Sequence, residues 1–259
     1  MKIPIYQVDA FSARLFGGNP AAICPLEAWL PDAVMQSIAA ENNLAETAFF
    51  VKSGNRYHLR WFTPAVEVDL CGHATLASAF VIMTRLAPSE SVVRFDSQSG
   101  ELAVTRDGDR YSLDFPSRPP VACEVHPRLA AALGGHPAEI VAARDYLVAY
   151  ESEEEVQALT PDFGALAQVD RFAVIATAPG KHSDFVSRFF APAQGIPEDP
   201  VTGSSHCTLT PYWAKRLGKS QLHAFQISPR RGELWCQDLG ARVKITGQAV
   251  CFLEGTILL

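Results

Sequence analysis

Several things are scarce in this 259-residue chain, and each scarcity removes a class of function. No block of Lys and Arg is present, and the net charge is −6, so a polyanionic partner such as nucleic acid is not expected. The longest largely apolar run, Leu76 to Met83, is far too short to span a bilayer. Met1 to Tyr6 enters strand-like sequence directly, without the apolar core of a leader peptide, which makes the cytoplasm the expected compartment. Six cysteines (Cys24, Cys71, Cys123, Cys207, Cys236 and Cys251) include no CxxC pair, and the expectation is free thiols, most of them buried. No GxSxG elbow is present. Leu217-Gly218-Lys219-Ser220 lacks the earlier glycine of a phosphate loop, because Trp213 stands there. Cys71/His73 and His206/Cys207 lack metal-ligand spacing, and no metal site is assigned.

What the chain does have is an internal echo. Arg60-Trp61-Phe62-Thr63-Pro64-Ala65 returns 128 positions later as Arg188-Phe189-Phe190-Ala191-Pro192-Ala193. Each copy is followed by an Asp, a Gly and a helix-like segment: Asp69-Leu70-Cys71-Gly72-His73 in the first and Asp199-Pro200-Val201-Thr202-Gly203-Ser204 in the second. The spacing is about half the chain, as a duplicated domain requires.

Around each copy the pattern predicts strands enclosing one helix. In the first half these are 45–51, 57–62, 92–96, 102–106 and 111–115; in the second, 172–176, 185–190, 221–227, 233–237 and 242–246. Residues 31–42 read as an outer amphipathic helix with Val34, Ile38 and Met35 inward. Residues 74–86 are apolar nearly all round, which places that helix inside a curved sheet. Its counterpart, 204–217, has Ser204 or Ser205 available as a cap and Pro211 crowding its first turns. A boundary falls near Arg118-Pro119-Pro120, giving an N-terminal lobe of 1–117 and a C-terminal lobe of 118–248. A closing strand, 249–259, is able to rejoin the first lobe.

Asp9-Ala10-Phe11, Gly18-Asn19-Pro20, Asn43-Leu44-Ala45-Glu46-Thr47-Ala48-Phe49, Phe62-Thr63-Pro64, Gly72-His73, Phe190-Ala191-Pro192, Glu198-Asp199-Pro200-Val201-Thr202-Gly203-Ser204 and the terminal Gly255-Thr256-Ile257-Leu258 occur in order over nearly the whole chain. With these motifs the sequence resembles the PhzF-like family, named for an isomerase of phenazine biosynthesis. The resemblance implies an α+β, diaminopimelate-epimerase-like fold: two pseudo-symmetric lobes, each a barrel-like sheet around a central helix, with the active site between them. It also implies a homodimer, no cofactor and a small carboxylate-bearing substrate.

Proton-transfer isomerisation needs a base that removes a proton and an acid that returns one. By residue type alone Glu46 reads as an exposed strand-edge carboxylate; the resemblance makes it the catalytic acid/base, with burial expected to raise its pKa. His73 opens the buried helix, where unpaired N–H groups suit a carboxylate and the dipole favours a neutral imidazole. Asp199 holds the equivalent place in the second half, and the resemblance gives it the task of orienting a polar substrate group. Asn19 reads as a turn residue by itself and as a polar substrate contact by resemblance. Gly72, Gly203 and Ser204 belong to the two helix openings expected to grip an anion.

Cys71 occupies one of the two thiol positions used by related epimerases, but no cysteine lies at the matching offset near Asp199. A packed Cys71 is therefore the preferred reading, with a Cys71/Asp199 pair as the alternative. Two further alternatives are a cysteine-dependent epimerase and an inactive binding protein on the same scaffold. Ser205-His206-Cys207 and the charged Arg230-Arg231-Gly232-Glu233 depart from the phenazine enzyme and argue against phenazine synthesis itself.

Overall fold

Short alternating and β-branched segments dominate the sequence, and they form strands along most of its length. The computed structural model describes residues 1–259. It divides into two units, Met1–Asp114 with Thr246–Leu259, and Phe115–Ile245.

The first unit begins with strands β1 (Lys2–Ala10) and β2 (Asn19–Leu26), helix α1 (Asp32–Asn42) and strands β3 (Glu46–Ser53), β4 (Arg56–Phe62) and β5 (Glu67–Val68). Helix α2 (Gly72–Val81) follows, continued by one wider turn over Ile82–Leu86, and then β6 (Val92–Ser97), β7 (Gly100–Asp107) and β8 (Arg110–Pro116). Strand β2 runs parallel to β3, β3 antiparallel to β4, and β4 parallel to β6. Helix α2 packs against β1, β2, β3 and β7. It is buried from His73 through Ala79, which explains its lack of a polar face. Thr75 and Ser78 satisfy their hydroxyls on the carbonyls of Cys71 and Ala74, one turn back. Helix α1 covers the outer face with Met35, Ile38 and Ala39 against Ile3, Cys24, Phe49 and Phe62, and Val34 lies at the edge of this cluster.

The second unit contains α3 (Leu129–Leu133), β9 (Glu139–Ala142), β10 (Tyr146–Ala149), α4 (Glu153–Ala158), α5 (Phe163–Leu166), β11 (Val174–Pro179), β12 (Phe185–Ala191) and β13 (Ile196–Asp199). It continues through α6 (His206–Leu217), β14 (Gln221–Gln226), β15 (Gly232–Asp238) and β16 (Arg242–Gly247). The pairing repeats that of the first unit: β10 parallel to β11, β11 antiparallel to β12, β12 parallel to β14. Closing strand β17 (Ala249–Leu258) pairs antiparallel with β1 and completes the first unit.

The sequence echo has a matching physical core in each unit. Arg60 forks onto Glu67 (Nε–Oε1 and Nη2–Oε2, both 2.7 Å) and lies 5.2 Å from the Phe62 ring. Arg188 forks onto Glu198 (2.8 and 2.9 Å) and lies 5.0 Å from the Phe190 ring. Bidentate pairing of this kind fixes the short strand that follows each copy.

Helix α6 begins at His206 and not at Ser204. Gly203, Ser204 and Ser205 form a tight opening turn, with the His206 N–H on Gly203 O and the Cys207 N–H on Ser204 O. Ser205 does not cap the helix with its side chain; its hydroxyl donates to Thr202 O. Pro211 leaves the Cys207 carbonyl without its helical donor, and the Arg118 N–H takes that place at 2.9 Å. Trp213 on α6 donates to Thr177 on β11 and stacks on Phe185 of β12.

Candidate active site

Asn19, Glu46, Cys71 and His73 arrive from three separate segments of the first unit. Asn19 is not in a turn: it is the first residue of β2 and completely buried. The loop before it is held by the buried Asp9 carboxylate, which accepts the Phe16 N–H at 2.9 Å. Gly18 turns the chain at φ +64°, where a Cβ would collide with the carbonyl oxygen of Ala10, so only glycine fits. Glu46 is the first residue of β3, opposite Ala21 of β2. Cys71 and His73 sit at the opening of α2, and the first-turn amides there have no acceptor within the helix.

These groups converge on one imidazole. His73 Nε2 lies 3.1 Å from Glu46 Oε2, and His73 Nδ1 lies 3.2 Å from the Asn19 amide and 3.5 Å from Cys71 Sγ. All four residues are buried. The Glu46–His73 approach is close but lacks the alignment of a formed hydrogen bond, leaving Oε2 without a well-directed donor. Burial opposes the charged form of His73, but Cys71 and Glu46 outweigh it and hold the imidazole pKa well above its ordinary value. Burial pushes the Cys71 thiol up to about 11, with Glu46 adding to the effect, so at neutral pH the thiol is protonated. The direction of this shift, caused by Cys71 and Glu46, runs against the expected neutral His73. Asn19 serves either form, because a half-turn of its amide presents a donor or an acceptor to Nδ1.

In the second unit, Asp199 ends β13 and is buried. Its carboxylate accepts the Thr202 hydroxyl in a short hydrogen bond. Gln226 of β14, fully buried, accepts the Thr202 N–H at 2.8 Å and donates to Asp199 O at 2.7 Å, clamping both ends of the turn. His206 Nδ1 donates to Thr202 O at 2.8 Å. Burial lowers the His206 pKa to about 4, so the ring is neutral at neutral pH. Ser205 Oγ also lies 3.3 Å from His206 Nδ1, but both groups donate to that one carbonyl, so this ring nitrogen carries its proton and is no base for the hydroxyl. Ser204 Oγ faces Arg144 Nη2 at 3.4 Å, and Arg144 also pairs with Asp145 and stacks on Phe172. Gly203 lies inside the opening turn. Arg231 is held over the Phe225 ring.

Thr202, Gln226 and Arg144 were not singled out from the sequence. Thr202 had a signal, since it lies inside the Asp199–Ser204 motif. Gln226 had none, because a single polar residue in a strand reads as solvent-facing. Elsewhere, a groove of about 310 Å³ lined by Trp29, His58, Arg60, Asp96 and Gln98 carries no comparable acid–base pair.

The model for phenazine biosynthesis-like proteins, PhzC-PhzF, matches residues 8–255. The chain belongs to this family. It is 51% identical over 257 residues to an uncharacterized isomerase of Pseudomonas aeruginosa, covering 99% of both chains. A crystal structure of a PhzF-family protein from Enterococcus faecalis superposes with a TM-score of 0.98 at 51% identity, covering each chain completely. A probable proline racemase from Agrobacterium radiobacter shares the fold alone, with a TM-score of 0.64 at 9% identity over 99% of this chain and 93% of that one. The protein is accordingly an isomerase of the PhzC-PhzF family with a two-lobed α+β fold.

Proposed function

We propose that the protein is a cofactor-independent isomerase that moves a proton on a small carboxylate-bearing substrate. The observation that carries this reading is the buried Glu46–His73 pair at 3.1 Å beside the opening of α2. Glu46 takes a proton from a carbon next to an electron-withdrawing group, and the electron pair left behind delocalises into that group. The proton returns to a different carbon, or to the other face of the same one. His73, positively charged beside Glu46, stabilises the developing negative charge. Amides at the openings of α2 and α6, including those of Gly72, Gly203 and Ser204, serve anionic groups of the substrate. Asn19 holds the imidazole, and Asp199, fixed by Thr202 and Gln226, orients a polar substrate group. The working form is a homodimer, supported by the exposed apolar side chains of Phe16 and Phe252, which contact one another on the first unit.

A cysteine-dependent epimerase is the second reading, supported by Cys71 Sγ at 3.5 Å from His73. The raised thiol pKa weighs against it, because the thiolate is the reactive form. Solvent-deuterium incorporation into a panel of small carboxylic acids separates the two. Cys71→Ala is expected to retain exchange within a few-fold of wild type under the first reading, and to abolish it under the second.

A further inference from the structure

We propose that Glu46, Cys71 and His73 form a binding site for a thiophilic divalent cation of the Zn²⁺ class, and that its occupancy switches off proton transfer. Sequence spacing offered only two donors, Cys71 and His73; the fold adds a third from a strand 25 positions away. One ligand atom from each of the three residues lies within 4.8 Å of the others. His73 Nε2 is 4.0 Å from Cys71 Sγ and 3.1 Å from Glu46 Oε2. Ordinary zinc bond lengths at a tetrahedral angle require about 3.6 Å between sulfur and nitrogen and about 3.4 Å between nitrogen and oxygen. Both of these separations lie within half an ångström of those values; because Cys71 Sγ is nearer Nδ1 (3.5 Å) than Nε2, the imidazole must turn so that Nε2 faces the sulfur as well as Glu46.

Other features of the site fit the same ligand. Glu46 Oε2 is buried and has no well-aligned hydrogen bond, so a strong acceptor is aimed at the space between the three donors. The other ring nitrogen of His73 faces the Asn19 amide, which with its oxygen presented is the outer partner that a metal-bound histidine uses. A carboxylate, a thiolate and a neutral imidazole around a dication leave no net charge to bury. The donor set of S, N and O suits zinc over magnesium or calcium, which prefer oxygen alone. Binding releases the thiol proton and any proton on Nε2 to solvent, with no change of oxidation state.

The inhibitory part of the proposal rests on Glu46 as the base: a cation on Oε2 occupies the lone pair that must accept the substrate proton. The binding part stands on geometry alone. Co²⁺ added to the metal-free full-length protein is expected to give one equivalent of binding with a thiolate-to-metal charge-transfer band. That band should disappear in both Cys71→Ala and Cys71→Ser, and Glu46→Gln should weaken Co²⁺ binding by at least ~10-fold. With Zn²⁺, deuterium exchange of the wild type should fall and return on chelation. A missing band, or one that persists in both Cys71 variants because it arises at Cys123 or Cys251, overturns the proposal. So does Zn²⁺ that binds at Cys71 and leaves exchange unchanged or raises it. If the metal-free wild type shows no exchange at all, the functional reading fails while the Co²⁺ spectrum still judges the site.

Discussion

Cys71 and Glu46 favour the charged form of His73 in a place where burial disfavours it, and this sets an imidazole beside a carboxylate as acid and base. The sign of the His73 shift sets a pH expectation. Its imidazolium persists above the ordinary histidine value of about 6.5, so activity that needs it is lost only as pH rises through the raised pKa. The basic limb of the kcat/KM profile is expected above pH ~6.5 and to be absent in His73→Asn, whose residual rate should be ~10²-fold or more lower. A basic limb that stays in place in His73→Asn would assign it to another group. Residue identity made Glu46 and His73 visible through their motifs. Their mutual distance was not visible, because it depends on β3 starting beside the opening of α2. The same juxtaposition raises the His73 pKa, against the expectation of a neutral imidazole.

At the scale of elements, two buried helices with dissimilar sequences occupy corresponding places. The all-round apolar character of α2 announced its burial. Burial of α6 was less legible, since it carries Thr208, Thr210 and His206 inside, and Pro211 interrupts its ladder. Strands β9, β10 and β13 were not read from sequence, because four-residue segments give too few alternations to stand out. Strand β2 was not read from sequence, where Pro20 and Pro25 interrupt the strand pattern. His206 supplies a test at this scale. Its folded pKa of about 4 lies below the unfolded value, so the unfolded chain binds a proton first as pH falls. Stability from the neutral ring is complete above pH ~6.5 and is lost toward pH 4, by about 3 kcal/mol in all. His206→Asn keeps a donor for Thr202 O but does not titrate. Urea unfolding of this variant should show a shallower loss of stability over that window than wild type; equal slopes would contradict the assignment.

At the scale of the molecule, duplication accounts for the most. The repeated Arg–Glu fork, the repeated pairing of parallel and antiparallel strands and the helix that follows each copy show why a six-residue echo carried so much of the architecture. The return of β17 to β1 was legible as an option, and its register along β1 was not. No helix is long and apolar enough to cross a membrane. The proposal that Glu46 and Asp199 serve one substrate predicts non-additive losses: the Glu46→Gln/Asp199→Asn double variant should be little worse in kcat/KM than the poorer single variant. Strict additivity would mean independent roles. Light scattering of the purified protein is expected to give twice the chain mass; a monomeric, active protein would remove the dimer from the proposal.

The most direct measurement follows deuterium from solvent into substrate carbon, comparing wild type with Glu46→Gln. Across the panel of small carboxylic acids, wild type is predicted to incorporate deuterium into at least one, and Glu46→Gln to do so at least ~10²-fold more slowly while keeping its fold. Exchange by Glu46→Gln at the wild-type rate would contradict the account at its centre.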